Sequence, residues 1–70
     1  MKILAIDPGY ERLGLAVVDR KKGEKEELVY SECFQTSKDL THPQRLKLIG
    51  QKIKEVIGTY ETEAVAIENL

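Results

Sequence analysis

Apolar positions along the chain change period partway, and the change divides it into strands and a helix. Lys2 to Ile6 is a short apolar run stopped by Asp7-Pro8-Gly9. It predicts a strand ended by a turn, because Pro presets one turn angle and Gly tolerates positive φ. Leu13 to Val18 is a second apolar run, with Gly14 near its start and Asp19 at its end. The short connection from Pro8 to Arg12 makes an antiparallel hairpin the simple solution. The polar stretch Asp19 to Lys25, with Gly23 inside it, predicts a second hairpin loop. Glu27 to Gln35 alternates loosely and carries Val29, Tyr30 and Phe34, which predicts a third strand.

After a polar connection, Thr36 to Thr41, the period lengthens. Thr41 with Gln44 three places on fits a capping box, and Pro43 suits a first helical turn. A rival assignment puts the cap at His42. Leu46, Ile49, Ile53, Val56, Ile57 and Tyr60 then recur at spacings of three and four, with Gly50 in the same stripe. That is a helix of about four turns with one apolar face. Gly58 is expected to loosen its last turn. Glu63 to Ile67 is a final apolar run, read as a fourth strand. The order β-β-β-α-β allows the helix to carry the chain across, so that the fourth strand lies parallel to a strand of the same sheet. The expected fold class is α/β, as a single domain over residues 1–70.

Composition narrows the function classes. The 70 residues hold 11 basic and 12 acidic side chains, a formal net charge of −1, so wholesale electrostatic capture of nucleic acid or anionic membrane is not implied. One Cys excludes an intramolecular disulfide framework and a cysteine zinc site, and suits a reducing compartment. No apolar run approaches the ~18 residues of a membrane span, and an acid interrupts the amino terminus before a signal-type apolar core forms. A soluble, cytoplasmic domain is expected.

Two acids stand out. Asp7 and Glu68 are each the first charge after an apolar strand. If the fourth strand lies parallel beside the first, both carboxylates emerge at one sheet edge, on strands ~4.8 Å apart. Two carboxylates that close repel unless a cation sits between them, and a hard divalent ion such as Mg²⁺ or Mn²⁺ takes oxygen ligands. The alternative is that both are solvated turn acids. Parity puts Asp7 with Ile3 and Ala5, and Glu68 with Ala64 and Ala66, on a face of small residues. Leu4, Ile6, Val65 and Ile67 take the other parity and are expected to meet the helix.

The stretch Met1 to Asp19, the helix opening Pro43-Gln44-Arg45-Leu46, and Ala64-Val65-Ala66-Ile67-Glu68 together resemble the RuvC family of crossover junction endodeoxyribonucleases, of the ribonuclease H-like superfamily. The resemblance covers nearly the whole chain. It implies three antiparallel strands, a helix and a fourth strand parallel to the first. It also implies Mg²⁺-dependent cutting of four-way (Holliday) DNA junctions in recombination and repair, by a homodimer that works with branch-migration helicase machinery. Mn²⁺ is the expected substitute ion. Asp7 and Glu68 match the first two metal-binding, catalytic acids. Members of the family are roughly twice this length and take their remaining acids from a later helix. The chain thus resembles the amino-terminal half of such an enzyme, with weak metal binding and little cleavage expected from it alone.

Other residues carry two readings each. Gly9 and Gly14 suit turn geometry or close approach of a phosphate. Tyr10 and Arg12, on the hairpin beside Asp7, are candidate DNA contacts by stacking and phosphate pairing, or solvated turn residues. Arg20, Lys21, Lys22 and Lys25 are interleaved with acids and read as a solvated loop. His42 reads as a cap or surface residue, Cys33 as a small apolar filler, and Phe34 and Tyr60 as core. A bare sheet face or strand edge favours self-association, expected to hide Ala5, Ala64 and Ala66. Two alternatives remain. One is a YqgF-like nuclease of ribosomal RNA processing. The other class comprises actin- or hexokinase-like ATPases, whose glycine turn carries a hydroxyl where Tyr10 stands, and non-catalytic interaction domains.

Overall fold

A computed structural model describes residues 1–9 and 12–67. Its elements are β1 (Lys2–Pro8), β2 (Arg12–Asp19), β3 (Glu27–Gln35), α1 (His42–Tyr60) and β4 (Ala64–Ile67). They form one four-stranded sheet in the order β3-β2-β1-β4. β1 pairs antiparallel with β2, β2 antiparallel with β3, and β1 parallel with β4. The sequence expectation of β-β-β-α-β with a parallel fourth strand therefore describes this sheet.

Local chemistry sets the element boundaries. β1 runs two residues further than the apolar run suggests, because Asp7 and Pro8 stay in the ladder opposite Gly14 and Leu13. Pro is tolerated there as the terminal strand residue. The Gly9 N–H donates to the Arg12 carbonyl oxygen at 2.8 Å. A Cβ at Gly9 would lie 2.6 Å from that oxygen, so only glycine lets the hairpin close this tightly. Between β2 and β3, Gly23 adopts φ 78° and Arg20 pairs with Glu26 through an Nε to Oε1 bond of 2.8 Å.

The helix begins as a capping box. The Gln44 N–H donates to Thr41 Oγ1 at 3.3 Å, and the Thr41 N–H donates to Gln44 Oε1 at 2.9 Å. Thr41 is the N-cap, which places His42 and Pro43 inside the first turn. Gly58 does not end the helix, which continues to Tyr60. It closes at Glu61, in the left-handed region at φ 52°, where the Glu61 N–H donates to the Ile57 carbonyl.

The core lies between α1 and one face of the sheet. Leu4, Ile6, Leu13, Leu15, Val17 and Val56 are buried, with Tyr30, Phe34, Ile49, Ile53, Ile57 and Tyr60 packed around them. Tyr30 and Tyr60 stack with ring centroids 4.7 Å apart. Three expectations need correction. Leu46 is 55% exposed, because the apolar stripe reaches the core only from Ile49 onward. Val65 and Ile67 share the parity of Leu4 and Ile6 but are 50% and 70% exposed, because they sit on an edge strand that α1 does not cover. Cys33 is exposed and fills no core space. It alternates with Glu32 and Phe34, and Phe34 faces the helix, so Cys33 faces away.

The other sheet face carries no layer among the described residues. The accessible surface is 5343 Å², against roughly 4,400 Å² for a compact monomer of this mass. The excess is what a sheet packed on one side only exposes.

Candidate metal centre

Asp7 sits at the carboxyl end of β1, on the face without a helix, and its side chain is exposed. Its neighbours follow from the register. Asp7 lies opposite Gly14, and Gly14 lies opposite Cys33. One step back, Ala5 lies opposite Ala16 and Ala66, and Ala16 lies opposite Ser31. Period-two alternation brings all of these to one face. Ala5, Asp7, Gly14, Ala16, Ser31 and Cys33 line an open depression of about 440 Å³.

Gly14 decides how much room Asp7 has. A Cβ at position 14 would lie 3.3 Å from Asp7 Cβ and 3.9 Å from its Oδ2. Glycine leaves the carboxylate free to turn over β2, where any larger residue would confine it. The close-approach reading of Gly14 thus has a geometric basis, with the Asp7 side chain as the approaching group.

The donors are hard oxygens at Asp7 and Ser31, a carboxylate and a hydroxyl, and a soft sulfur at Cys33. Among the described residues, no group of three or more His, Cys, Asp or Glu side chains gathers in a metal-binding arrangement. Asp7 fits a divalent ion as one oxygen ligand and does not make a complete site. Glu68 and Tyr10 lie outside the described residues. β4 does run beside β1, with Ile67 paired to Ile6, and Asp7 is the residue that follows Ile6. Arg12 begins β2 at the same sheet end as Asp7 and is exposed.

The shifted ionisations lie on the opposite, helix-covered face. Lys52 Nζ of α1 pairs with Glu32 Oε2 of β3 at 2.9 Å and stands 5.6 Å over the Phe34 ring. The Tyr30 hydroxyl donates to the same Glu32 carboxylate. The Tyr30 and Lys52 hydrogen bonds hold the Glu32 carboxyl below its usual range. The same carboxylate raises the Lys52 ammonium and the Tyr30 phenol above theirs. This cluster ties the helix to the edge strand. Sequence inspection missed it because Glu32 and Lys52 lie 20 positions apart, where no helical spacing links them.

Residues 3–70 match the family model for crossover junction endodeoxyribonuclease RuvC. RuvC of Alkaliphilus metalliredigens is 41% identical over the whole chain, and that of Herminiimonas arsenicoxydans 43%. The chain spans 42% and 38% of their lengths, so it matches well under half of these curated relatives. The Thermus thermophilus RuvC structure superposes with a TM-score of 0.85 at 36% identity, over 96% of this chain and 44% of that one. T. thermophilus RuvC in complex with Holliday junction substrate superposes with a TM-score of 0.84 at 34% identity, over 96% of this chain and 42% of that one.

Proposed function

This chain belongs to the crossover junction endodeoxyribonuclease RuvC family, with a ribonuclease H-like sheet, and we propose that it supplies the first part of a metal-dependent centre for hydrolysing phosphodiesters in four-way DNA junctions. The observation that carries the reading is Asp7. It is an exposed carboxylate at the carboxyl end of the central β1, flanked by Gly14 and beside a parallel β4. Ligands outside the carboxyl ends of strands are the general rule for such sheets. Glu68, next in sequence after β4, is the proposed second carboxylate ligand.

The proposed ion is Mg²⁺, with Mn²⁺ as substitute. When bound, it supplies an activated water and neutralises charge on the leaving oxygen. The chain's own residues do the rest. Asp7 and Glu68 hold the ion by hard oxygen donors. Gly14 keeps the Asp7 carboxylate mobile enough to reach it. Arg12 and Tyr10 contact the DNA strand, Arg12 through a phosphate. With two acids, this chain alone cleaves slowly or not at all. Support for its remaining partners, a second copy and branch-migration helicase machinery, rests on the family alone. Self-association over the small-residue face is supported by the excess surface, and light scattering at high concentration tests it: a monomer there refutes it. The exposed free Cys33 suits a reducing, cytoplasmic setting. No helix among the described residues is long and apolar enough to cross a membrane.

The test is a Mn²⁺ titration of isotope-labelled protein. Selective amide broadening around Asp7, lost in Asp7→Asn, is the expected result. Uniform broadening, or broadening that survives Asp7→Asn, overturns the reading.

A further inference from the structure

A second depression opens at the same end of the sheet as Asp7. It has a volume of about 250 Å³ and is lined by Arg12, Gln35, Thr36 and Lys38. Arg12 and Gln35 form the last β2–β3 pair, and both lie on the Asp7 face, two residues beyond Gly14 and Cys33. Thr36 and Lys38 follow directly as the chain leaves β3. Two cations and two neutral polar side chains make up the lining, and no carboxylate contributes among the described residues. The Thr36 Oγ1 is buried and has no hydrogen-bond partner among the described residues. A buried hydroxyl in that state is destabilising until it finds a partner. Thr36 is itself one of the residues that line the depression.

We propose that Arg12, Gln35, Thr36 and Lys38 form a subsite for a DNA backbone phosphate beside the Asp7 centre. The proposal rests on the metal-nuclease reading for its substrate, and extends it to residues that the acids do not involve. Strand geometry sets the distance. Arg12 is one strand over and two residues along from the position opposite Asp7, roughly 8 Å away at ~4.8 Å per strand and ~3.4 Å per residue. DNA carries one phosphate per ~3.4 Å of axis on each strand, so this spans about two nucleotides. A phosphate held here would fix the strand while another faces Asp7. Phosphate contacts of this kind position a substrate without reading its sequence.

The larger basic cluster does not serve the same purpose. Arg20, Lys21, Lys22 and Lys25 lie in the β2–β3 connection, at the far end of β2 from Arg12. That is about 27 Å for eight strand residues. Arg20 is engaged by Glu26, and Glu24 and Glu27 in the same stretch offset part of the remaining lysine charge. The smaller pair, Arg12 and Lys38, is the one placed at the Asp7 end.

The experiment titrates a short DNA duplex into the labelled 70-residue chain with EDTA present, and Mn²⁺ into a second sample without DNA. Amides of Arg12, Gln35, Thr36 and Lys38 are expected to shift with DNA. The double variant Arg12→Gln/Lys38→Gln is expected to lose on the order of tenfold in affinity at low salt. Its plot of log affinity against log salt flattens by about two phosphate contacts' worth. Shifts confined to the Arg20 to Lys25 loop, no shifts, or a double variant with wild-type affinity and salt slope overturn the subsite. The Mn²⁺ sample reports separately. Broadening at Asp7 without DNA shifts at these four residues removes the subsite and keeps the metal reading. DNA shifts without broadening do the reverse.

Discussion

The two faces of the sheet are made from the same strands and differ in what alternate residues do. On the covered face Leu4, Ile6, Leu13, Leu15 and Val17 are buried under α1, and Val56 reaches down to them. On the open face the same strands present Ala5, Asp7, Gly14 and Ala16, with Ser31 and Cys33 from β3. Large side chains gain about 1.5–3 kcal/mol each by leaving water, so the covered face holds the fold together. The open face gains little in that way. What it offers is space at Gly14 and a carboxylate with few constraints. The contrast separates stability from chemistry by parity alone: one residue's shift in register would exchange the two roles.

The contrast is broken most forcefully from the covered side. Leu4 is fully buried at the centre of the sheet. Leu4→Ala is expected to cost about 2–5 kcal/mol, enough to unfold much of so small a domain. Urea melts followed by circular dichroism measure it. A loss below 1 kcal/mol would mean that α1 does not seal this face. Gly9→Ala comes next. Its Cβ would sit 2.6 Å from the Arg12 carbonyl oxygen, which is backbone and cannot swing aside. The hairpin must open, at about 1–3 kcal/mol, the range for local backbone strain. The same melts detect it, and amide shifts at Arg12 and Asp7 show whether the damage stays local. No change in either stability or shifts would mean that the turn relaxes freely.

The first hairpin and the helix start are legible in the sequence because each has a local cause, whereas the place of β4 beside β1 follows only from the family resemblance. The Thr41/Gln44 capping box, the Pro-Gly turn and the parity of Leu4 against Asp7 are all read within a few residues. What failed depended on where elements end relative to one another. Leu46 fits the helical stripe, yet no periodicity tells that the sheet lies under the helix only from Ile49 onward. Val65 and Ile67 match the core parity, yet β4 is an edge strand outside the helix's cover. Cys33 was recoverable: once Phe34 is core, alternation sends its neighbour to the open face. Of the candidate site, Asp7 and its face were legible. The Gly14 contact and the Arg12–Lys38 depression were not, because they require the pairing register.

Acid pH sharpens the comparison, because the described groups with lowered or raised ionisation all sit on the covered side. The Glu32 carboxyl is held low by Tyr30 and Lys52, so its contribution is present above the ordinary carboxylate value of about 4.3 and fades as pH falls through its lower folded value. Lys52 and Tyr30 are held high, so theirs is present below their ordinary values and is lost as pH rises through the higher folded ones. Stability should form a plateau between, with Glu32→Gln flattening the acid limb. An unchanged acid limb in that variant would mean the tie between α1 and β3 does not form in solution. Gly50→Ala touches neither face, since a Cβ there meets nothing within 4 Å. It should stabilise by about 0.5–1 kcal/mol through helix propensity, raising the urea midpoint with an unchanged slope. A destabilised variant would mean that this helical surface is covered in solution.

Asp7→Asn gives the smallest stability effect and the cleanest division between the faces. The side chain is exposed, and no hydrogen bond or ion pair of its carboxylate is found among the described residues. Asn keeps the shape and removes the charge. Surface changes of this kind fall within about 0.5 kcal/mol, so the urea midpoint should barely move while Mn²⁺ broadening at position 7 disappears. A gain in stability would also be informative. It would mean that the Asp7 charge is repelled in the folded chain, as a carboxylate close to a second one without an ion between them would be. Adding Mg²⁺ should then stabilise the parent chain and leave Asp7→Asn unchanged. If Asp7→Asn instead destabilises by more than 1 kcal/mol, Asp7 is a structural residue of the hairpin, and the division of labour between the two faces does not hold at the position where it matters most.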